Sequence, residues 1–335
     1  MDLRDLGWND ALDVGFAPFR DRGLEAALVT ADFGGGLCVL TACGAEDPAV
    51  LSGRLKHQAA SAAELPTVGD WVAIRRDSNS PPGHPARIEH RLPRRSCFCR
   101  KAPGKETAQQ MVAANVDFVL LVTDVDVDLR PGRIERYLLL AQEGGAAPVV
   151  LLNKADLLPA SEVAQRLSSL KSVTGQAPSH AISALQRSGL EALHPYCRPG
   201  IVSALVGSSG VGKSTLLNAL LERPLQDTAA VNAHTGKGRH TTTARRALLL
   251  PQGGLLIDNP GMRELHIWSD KDALRESFAD IEALAAQCRF PNCRHRSDAG
   301  CRVRAALDEG LLERRRYDNF LRLAEEISAV NQRRR

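Results

Sequence analysis

Eight consecutive residues, Gly207-Ser208-Ser209-Gly210-Val211-Gly212-Lys213-Ser214, have the types and spacing needed to hold a polyphosphate. Glycines let backbone N–H groups turn inward around phosphate oxygens, and a helix starting there adds the positive end of its dipole. The apolar run Ile201–Val206 precedes the segment as a strand, and Thr215–Leu221 continues it as a helix, the setting such a loop requires. There Lys213 is placed to reach the β- and γ-phosphates and the Ser214 hydroxyl to ligate Mg²⁺. A Gly-rich turn before an ordinary helix would leave Lys213-Ser214 unexplained.

A phosphate loop does not choose the base. That choice falls to Asn153-Lys154-Ala155-Asp156, at the end of the apolar run Val149–Leu152. A carboxylate at Asp156 can accept hydrogen bonds from the N1–H and amino group of guanine, whereas adenine would leave it buried and unpaired. Asn153 is expected to brace the loop, and the Lys154 stem to lie on the purine face. Ile182-Ser183-Ala184 supplies a short backbone turn of the kind that completes such a site. Further on, Leu255-Leu256-Ile257 runs into Asp258-Asn259-Pro260-Gly261. Asp258 is placed to hold Mg²⁺, through water, and the Gly261 amide to sense the γ-phosphate. The polar stretch Gly236–Thr243 reads as a switch loop in which Thr241 or Thr242 closes on Mg²⁺ when the nucleotide is a triphosphate. These features predict GTP and GDP as ligands and GTP hydrolysis as the reaction. The order is inverted relative to Ras-like enzymes, because the guanine motif precedes the phosphate loop by about 50 residues. A circular permutation keeps the pocket and places whatever follows Gly261 directly behind a nucleotide-sensing segment.

A second constellation, Cys288, Cys293, His295 and Cys301, offers three thiolates and an imidazole, the usual set for a closed structural zinc site. One Zn²⁺ there would hold together a helical region too small for its own core. Cys38, Cys43 and Cys197 read as scattered core residues. Cys97 and Cys99 form a lone C-x-C, too few ligands for a metal without outside help.

The elements that position these groups fall into contrasting textures. Residues 1–24 show no strong periodicity and read as an N-terminal extension. Residues 25–92 carry short β-like runs, Ala26–Thr30, Leu37–Thr41, Trp71–Arg75 and Arg87–His90, separated by Gly- and Pro-rich turns. Such a pattern suits a small OB-like β-barrel. Residues 93–106 read as a basic linker. Residues 107–270 alternate buried strand runs with helical spacing (Ile134, Tyr137, Leu138, Ala141), an α/β domain with a mostly parallel sheet. Residues 271–335 lose the strand signal and read as helices, Leu274–Ala286 and Arg314–Ile327, around the cysteine cluster. The expected fold is therefore multidomain α/β: barrel, circularly permuted P-loop GTPase domain and C-terminal helical zinc-binding domain.

Among 335 residues, 43 Lys and Arg against 39 Asp and Glu give a formal charge of +4, with arginines concentrated between Arg87 and Lys105 and again after Arg289. Those clusters suit a polyanion such as RNA, although composition alone favours a solvated face or a frayed tail. No apolar run is long enough to span a bilayer and none resembles a signal peptide, so a cytoplasmic chain without membrane contact is expected.

Taken together, these residues resemble the RsgA/YjeQ family, circularly permuted GTPases that depend on the small ribosomal subunit. The resemblance runs from about residue 25 to 330. It rests on the permuted order, on Gly207–Ser214, Asn153–Asp156 and Gly238–Thr243, and on the cysteine–histidine pattern. It implies a late assembly factor that binds the small (30S) subunit and its 16S rRNA through barrel and zinc domain. GTP hydrolysis would then release it. No DNA partner is implied, and a monomer is expected. The chain departs from the family's usual D-T-P-G at Asn259, where little loss is expected. It also has Met262 where a Ras-like enzyme places a water-orienting glutamine. A thioether cannot orient water, so hydrolysis is expected to be slow alone, with the missing group supplied by His240 or by the ribosome. Competing readings are an RNA-binding scaffold that uses GTP as a structural ligand, a permuted GTPase of the large subunit, and an ATPase, the last opposed by Asp156.

Overall fold

Near the N-terminus, five strands close on themselves: β1 (Glu25–Asp32), β2 (Leu37–Thr41), β3 (Glu46–Leu51), β4 (Trp71–Arg75) and β5 (Ala86–Arg91) run in the order β1-β2-β3-β5-β4, and β4 returns to β1. In the computed structural model, the described residues are 1–76, 84–101, 109–125, 131–222, 245–259, 274–275 and 278–333. Period-two alternation turns Ala27 and Val29, Val72 and Ile74, and Ala86 and Ile88 into the barrel interior. A short helix, α2 (Gly53–Gln58), capped by the Ser52 hydroxyl, follows β3. Strand β3 was not expected from its sequence: Glu46, Asp47 and Pro48 are poor strand formers, and only Ala49 of the strand is buried.

The opposite faces of β1 and β4 are also buried, which a half-exposed barrel would not require. Leu28, Trp71 and Ala73 meet Leu6, Trp8, Leu12 and Phe16 of the N-terminal segment. Residues 10–20 form a helix, α1 (Asp10–Arg20), capped by the Asn9 side chain. Trp8 stands edge-on to both Phe16 and Trp71, at 5.8 and 4.8 Å between ring centroids. The expectation of a patternless extension is corrected here. Gly15 and Pro18 blur the helical signal, yet the helix buries Leu12 and Phe16 one turn apart.

The next segment also differs from a free linker. Residues 97–101 form β6 (Cys97–Lys101), antiparallel to β7 (Gln109–Ala114). Arg94 grips both oxygens of the fully buried Asp70 at 2.7 Å and donates to the carbonyls of Ala63 and Leu65. Arg95 pairs with Asp117. These two cations of the basic cluster are consumed within the fold.

The α/β region contains β8 (Phe118–Asp124), α3 (Pro131–Glu143), β9 (Ala147–Asn153), α4 (Ala160–Thr174), β10 (Ser179–Ala181), β11 (Val202–Gly207), α5 (Lys213–Leu221), β12 (Arg245–Leu249) and β13 (Leu255–Asp258). Its strand order is β10-β9-β8-β11-β13-β12, parallel except for β12. Strand β11 is buried along its whole length, as a strand covered on both faces must be. Beyond β12 the sheet does not end: Ala31 and Asp32 of β1 pair with Arg246 and Arg245, so barrel and α/β sheet are hydrogen-bonded into one.

Among the described residues after β13 are the helices α6 (Ala279–Ala285), α7 (Arg302–Asp308) and α8 (Arg314–Arg333). Phe278, Ile281, Val303, Tyr317, Phe320 and Leu323 form their core, which Leu139 of α3 enters from the α/β region. Beside Leu139 the buried Glu135 carboxylate accepts from Asn319 at 2.7 Å and from Arg316 at 3.3 Å, and Arg316 also grips Asp280 at 2.6 Å. Of the cysteines expected in the core, Cys197 is buried, Cys38 is half-buried and Cys43 is exposed, at the turn after β2.

Burial pushes the Glu135 carboxyl from its ordinary 4.5 up to about 7, against the opposing pull of Arg316 and Asn319. The folded chain therefore holds this proton more tightly than the unfolded chain. Its contribution to stability is present below the ordinary value and is lost as pH rises toward about 7. Thermal unfolding of Glu135→Gln is expected to vary less with pH than wild type between about pH 5 and 7.5. Parallel profiles would show that the carboxyl does not titrate there.

Candidate nucleotide and metal sites

The parallel strands end along one rim of the sheet, where an open α/β fold binds its ligands. Each end delivers a group singled out by the sequence. Gly207 closes β11 and opens the phosphate loop, Asn153 closes β9, Asp258 closes β13, and Ser183 and Ala184 follow β10. The two motifs that lie far apart in the chain are thus neighbours, separated only by β8.

Loop 208–212 leads into α5 at Lys213, with Ser209, Gly210, Ser214 and Thr215 exposed and Val211 buried beneath them. The Lys213 ammonium lies along the loop, donating to the carbonyls of Gly207 and Ser208 at 2.8 and 2.6 Å. Gly212 has φ +95°, and a Cβ there would lie 2.3 Å from Nδ2 of Asn153. Only glycine permits both the left-handed backbone and that approach.

Asn153 is buried and spans the permutation. Its Nδ2 donates to the Val211 carbonyl at 2.8 Å, and its Oδ1 accepts from the Ala184 amide at 3.0 Å. One side chain therefore fixes the phosphate loop against the turn after β10. Lys154 adopts φ +61° and extends its ammonium to Asp124 at 3.1 Å, while Asp156 stands exposed at the mouth. Ser183 is buried, and its hydroxyl accepts from the Gln186 amide. A cleft opens between Asn153, Lys154, Asp156, Ala184, Gly212 and Thr215, bounded by Leu157 and Leu185. Its walls are apolar at the sides and carry one carboxylate at the rim, an arrangement that accepts a planar base offering N–H donors. Asp124 was missed by the sequence reading. Its signal was an acid ending the long apolar run before it, the same signal that marked Asp258.

Burial raises the Asp258 carboxyl above its usual range, and the nearby Lys213 charge draws it back. Loop lysine and strand-end aspartate are thus close enough to feel each other, as a shared phosphate–cation site requires. Asn259, at the departure from the family pattern, is buried, and among the described residues neither of its side-chain amide atoms finds a partner. Gly261, Met262, His240, Thr241 and Thr242 lie outside the described residues.

In the C-terminal region Cys288, Cys293, His295 and Cys301 bring their ligand atoms within 4.8 Å of one another. Cys288 Sγ stands 4.0 Å from Cys301 Sγ, and both sulfurs are 3.6 Å from Nδ1 of His295. Tetrahedral thiolate and imidazole ligands around zinc are separated by about 3.5–3.8 Å, so this cluster could hold a zinc ion. The amides of Arg302, His295 and Arg304 point at the sulfurs of Cys288, Cys293 and Cys301, each at 3.4 Å, and can offset thiolate charge. Tyr317 on α8 donates to the His295 carbonyl at 2.5 Å, fixing that turn to the helical core.

A permuted strand order with its phosphate loop and guanine-type motif on one rim defines a circularly permuted P-loop GTPase. The family model described as RsgA GTPase matches residues 91–268. A small ribosomal subunit biogenesis GTPase RsgA of Opitutus terrae is 45% identical over 332 residues, covering 97% of this chain and 90% of that protein. The chain belongs to the RsgA GTPase family. Among solved structures, YjeQ from Thermotoga maritima superposes with a TM-score of 0.66 at 27% identity, covering 91% of this chain and 98% of that one. YloQ, a circularly permuted GTPase, superposes at 0.62 with 20% identity, covering 91% and 96%, and shares the fold.

Removing the Asn153 side chain leaves a buried carbonyl and a buried amide unpaired, at a cost of about 1–3 kcal/mol each. Asn153→Ala is expected to weaken GTP and GDP alike by about ten- to a hundredfold in equilibrium titration with a fluorescent nucleotide. Unchanged affinity for both would show that the phosphate loop keeps its shape without this tie.

Proposed function

We propose that this chain is a cytoplasmic, monomeric GTP hydrolase that binds the small ribosomal subunit late in its maturation and leaves after hydrolysis. The observation that carries the reading is a nucleotide rim bonded on one side to the barrel, through β12 and β1, and on the other to the Cys/His region, through α3 and α8. The domains expected at 25–92, 107–270 and 271–335 then become two RNA-contacting modules around one switch. Its relatives' name, small ribosomal subunit biogenesis GTPase, supports the same partner. So does the surface: Arg289, Arg294 and Arg296 are exposed around the metal ligands, with Arg289 over the ring of the exposed Phe290 at 5.4 Å. A cation beside a solvent-facing aromatic suits stacking on unpaired bases. Among the described residues no helix is long and apolar enough to cross a membrane.

In this reading Asp156 accepts from the guanine edge, the Lys154 stem lies along the base, and Asn153 holds the loop that carries Lys213. The amides of residues 208–215 bind phosphate oxygens, and Lys213 swings from the Gly207 and Ser208 carbonyls onto the β- and γ-phosphates. Mg²⁺, when bound, offsets phosphate charge, and Ser214, Asp258 and one of Thr241 or Thr242 are the residues to hold it. Gly261 reports the γ-phosphate. His240 orients the attacking water, since Met262 cannot. One zinc ion occupies Cys288, Cys293, His295 and Cys301 and has a structural role.

GTP turnover is expected to rise at least about tenfold on adding purified small subunits and to stay basal with large subunits. No stimulation, or equal stimulation by both, would defeat the assignment. In the same assay His240→Ala should lose at least about tenfold of the stimulated kcat while subunit binding persists, and a wild-type stimulated kcat would remove His240 from that role. For the metal, Cys288→Ser combined with Cys301→Ser should take zinc content from one ion per chain to none and lower the unfolding temperature. Retention of a full equivalent would place the ion elsewhere.

A further inference from the structure

The C-x-C motif, left unused by the nucleotide site and the Cys/His cluster, gains a third sulfur across the β6–β7 hairpin. Cys99 is the register partner of Met111, and its Sγ lies 3.1 Å from Met111 Sδ and 3.5 Å from Cys97 Sγ. The register shifts between Phe98↔Ala113 and Cys99↔Met111, so Val112 of β7 is the extra residue of a bulge facing the motif, and bulges re-aim the side chains beside them. Phe98, between the two cysteines, is fully buried. Cys99 and Met111 are buried and Cys97 is half-buried, so the cluster has one face toward solvent.

We propose that Cys97, Cys99 and Met111 form a binding site for one soft monovalent d¹⁰ cation, of which Cu(I) is the biological example. Two thiolates and a thioether make a purely soft donor set, and soft sulfur ligands select Cu(I) over harder ions. Zinc is disfavoured because its tetrahedral sites draw on thiolate, imidazole and carboxylate, and the Cys/His cluster is the metal-competent group of such residues among those described. Charge also fits: two thiolates with a monovalent cation carry one net negative charge, and the Arg94 guanidinium lies near enough to be felt by both cysteines. The proton balance is defined. Cys97 is drawn down to about 7, chiefly by its hydrogen bond with Cys99, while the same bond pushes Cys99 up. Binding therefore forms two metal–thiolate bonds and releases the Cys99 proton with whatever fraction remains on Cys97. No electron is transferred.

The position gives occupancy a structural consequence. Arg245, first residue of β12, donates to the Met111 carbonyl at 2.8 Å, and Cys97 donates its amide to Gly144 at the end of α3. A metal would therefore stitch the hairpin at its bulge, between the strand that joins the sheet to the barrel and the helix that carries Glu135.

The test uses full-length, zinc-loaded protein under anaerobic reducing conditions, titrated against Cu(I) held by the chromophoric chelator bicinchoninate. Wild type should withdraw one more equivalent of Cu(I) than Cys97→Ser combined with Cys99→Ser. Met111→Leu should retain that equivalent with affinity lowered about tenfold or more. Met111→Leu keeps an apolar side chain of similar size, so it remains informative should the double variant fold poorly. Equal uptake by wild type and the double variant would overturn the site, as would Met111→Leu of wild-type affinity.

Discussion

Everything at the nucleotide rim depends on one amide. Asn153 joins the Val211 carbonyl, in the phosphate loop, to the Ala184 amide, in the turn after β10, and does so from the end of a third strand. The carboxamide is suited to this because it offers a donor and an acceptor on one rigid plane. A carboxylate would repel the carbonyl, and a hydroxyl would be too short to reach both. Since Gly212 lies against the same Nδ2, the loop's left-handed turn and the asparagine's position are fixed together. The permutation is tolerated because this contact is spatial: it is indifferent to which motif the chain visits first.

The permuted order has a further consequence for what the rim can move. Strand β13 ends at Asp258, and the chain then proceeds toward the Cys/His region. On the other side, β12 pairs with β13 and also with β1 of the barrel. A displacement of either strand is therefore shared with an outer module through hydrogen bonds that cannot stretch independently. Interfaces built this way move as units. The Glu135–Arg316–Asp280 chain performs the corresponding task at α3, where a buried carboxylate and a guanidinium hold α8 against the helix that supports β8 and β9.

The parts of this structure that the sequence disclosed are those written in local pattern. The runs that became β2, β4 and β13 are dense in apolar residues and have their expected limits, because a buried strand advertises itself over five residues. The phosphate loop and the Cys/His spacing are likewise local signatures. What was missed depends on partners distant in the chain. Arg94 and Arg95 looked like free charge until Asp70 and Asp117 met them. Helix α1 carries Gly15 and Pro18 yet forms, because Leu12 and Phe16 bury themselves beside Trp8 on a barrel face. Strand β3 persists despite Glu46, Asp47 and Pro48 because β2 and β5 supply its hydrogen bonds from both sides. Asp124 and Met111 carry no motif; their neighbours Lys154 and Cys99 give them meaning.

The same distinction bears on charge. A basic composition suggested RNA contact at two clusters, but the structure separates them. In residues 93–101, Arg94 and Arg95 are spent on buried or half-buried carboxylates, and removing Arg94 would leave the Asp70 charge uncompensated inside the protein. Near the Cys/His cluster, Arg289 and Arg294 are exposed, and Arg296 pairs with the exposed Glu325. An exposed pair contributes little to stability and exchanges readily for another anion. Arg289, Arg294 and Arg296 thus present charge to solvent beside the Cys/His cluster, whereas Arg94 ties the segment after β5 to Asp70 of the barrel.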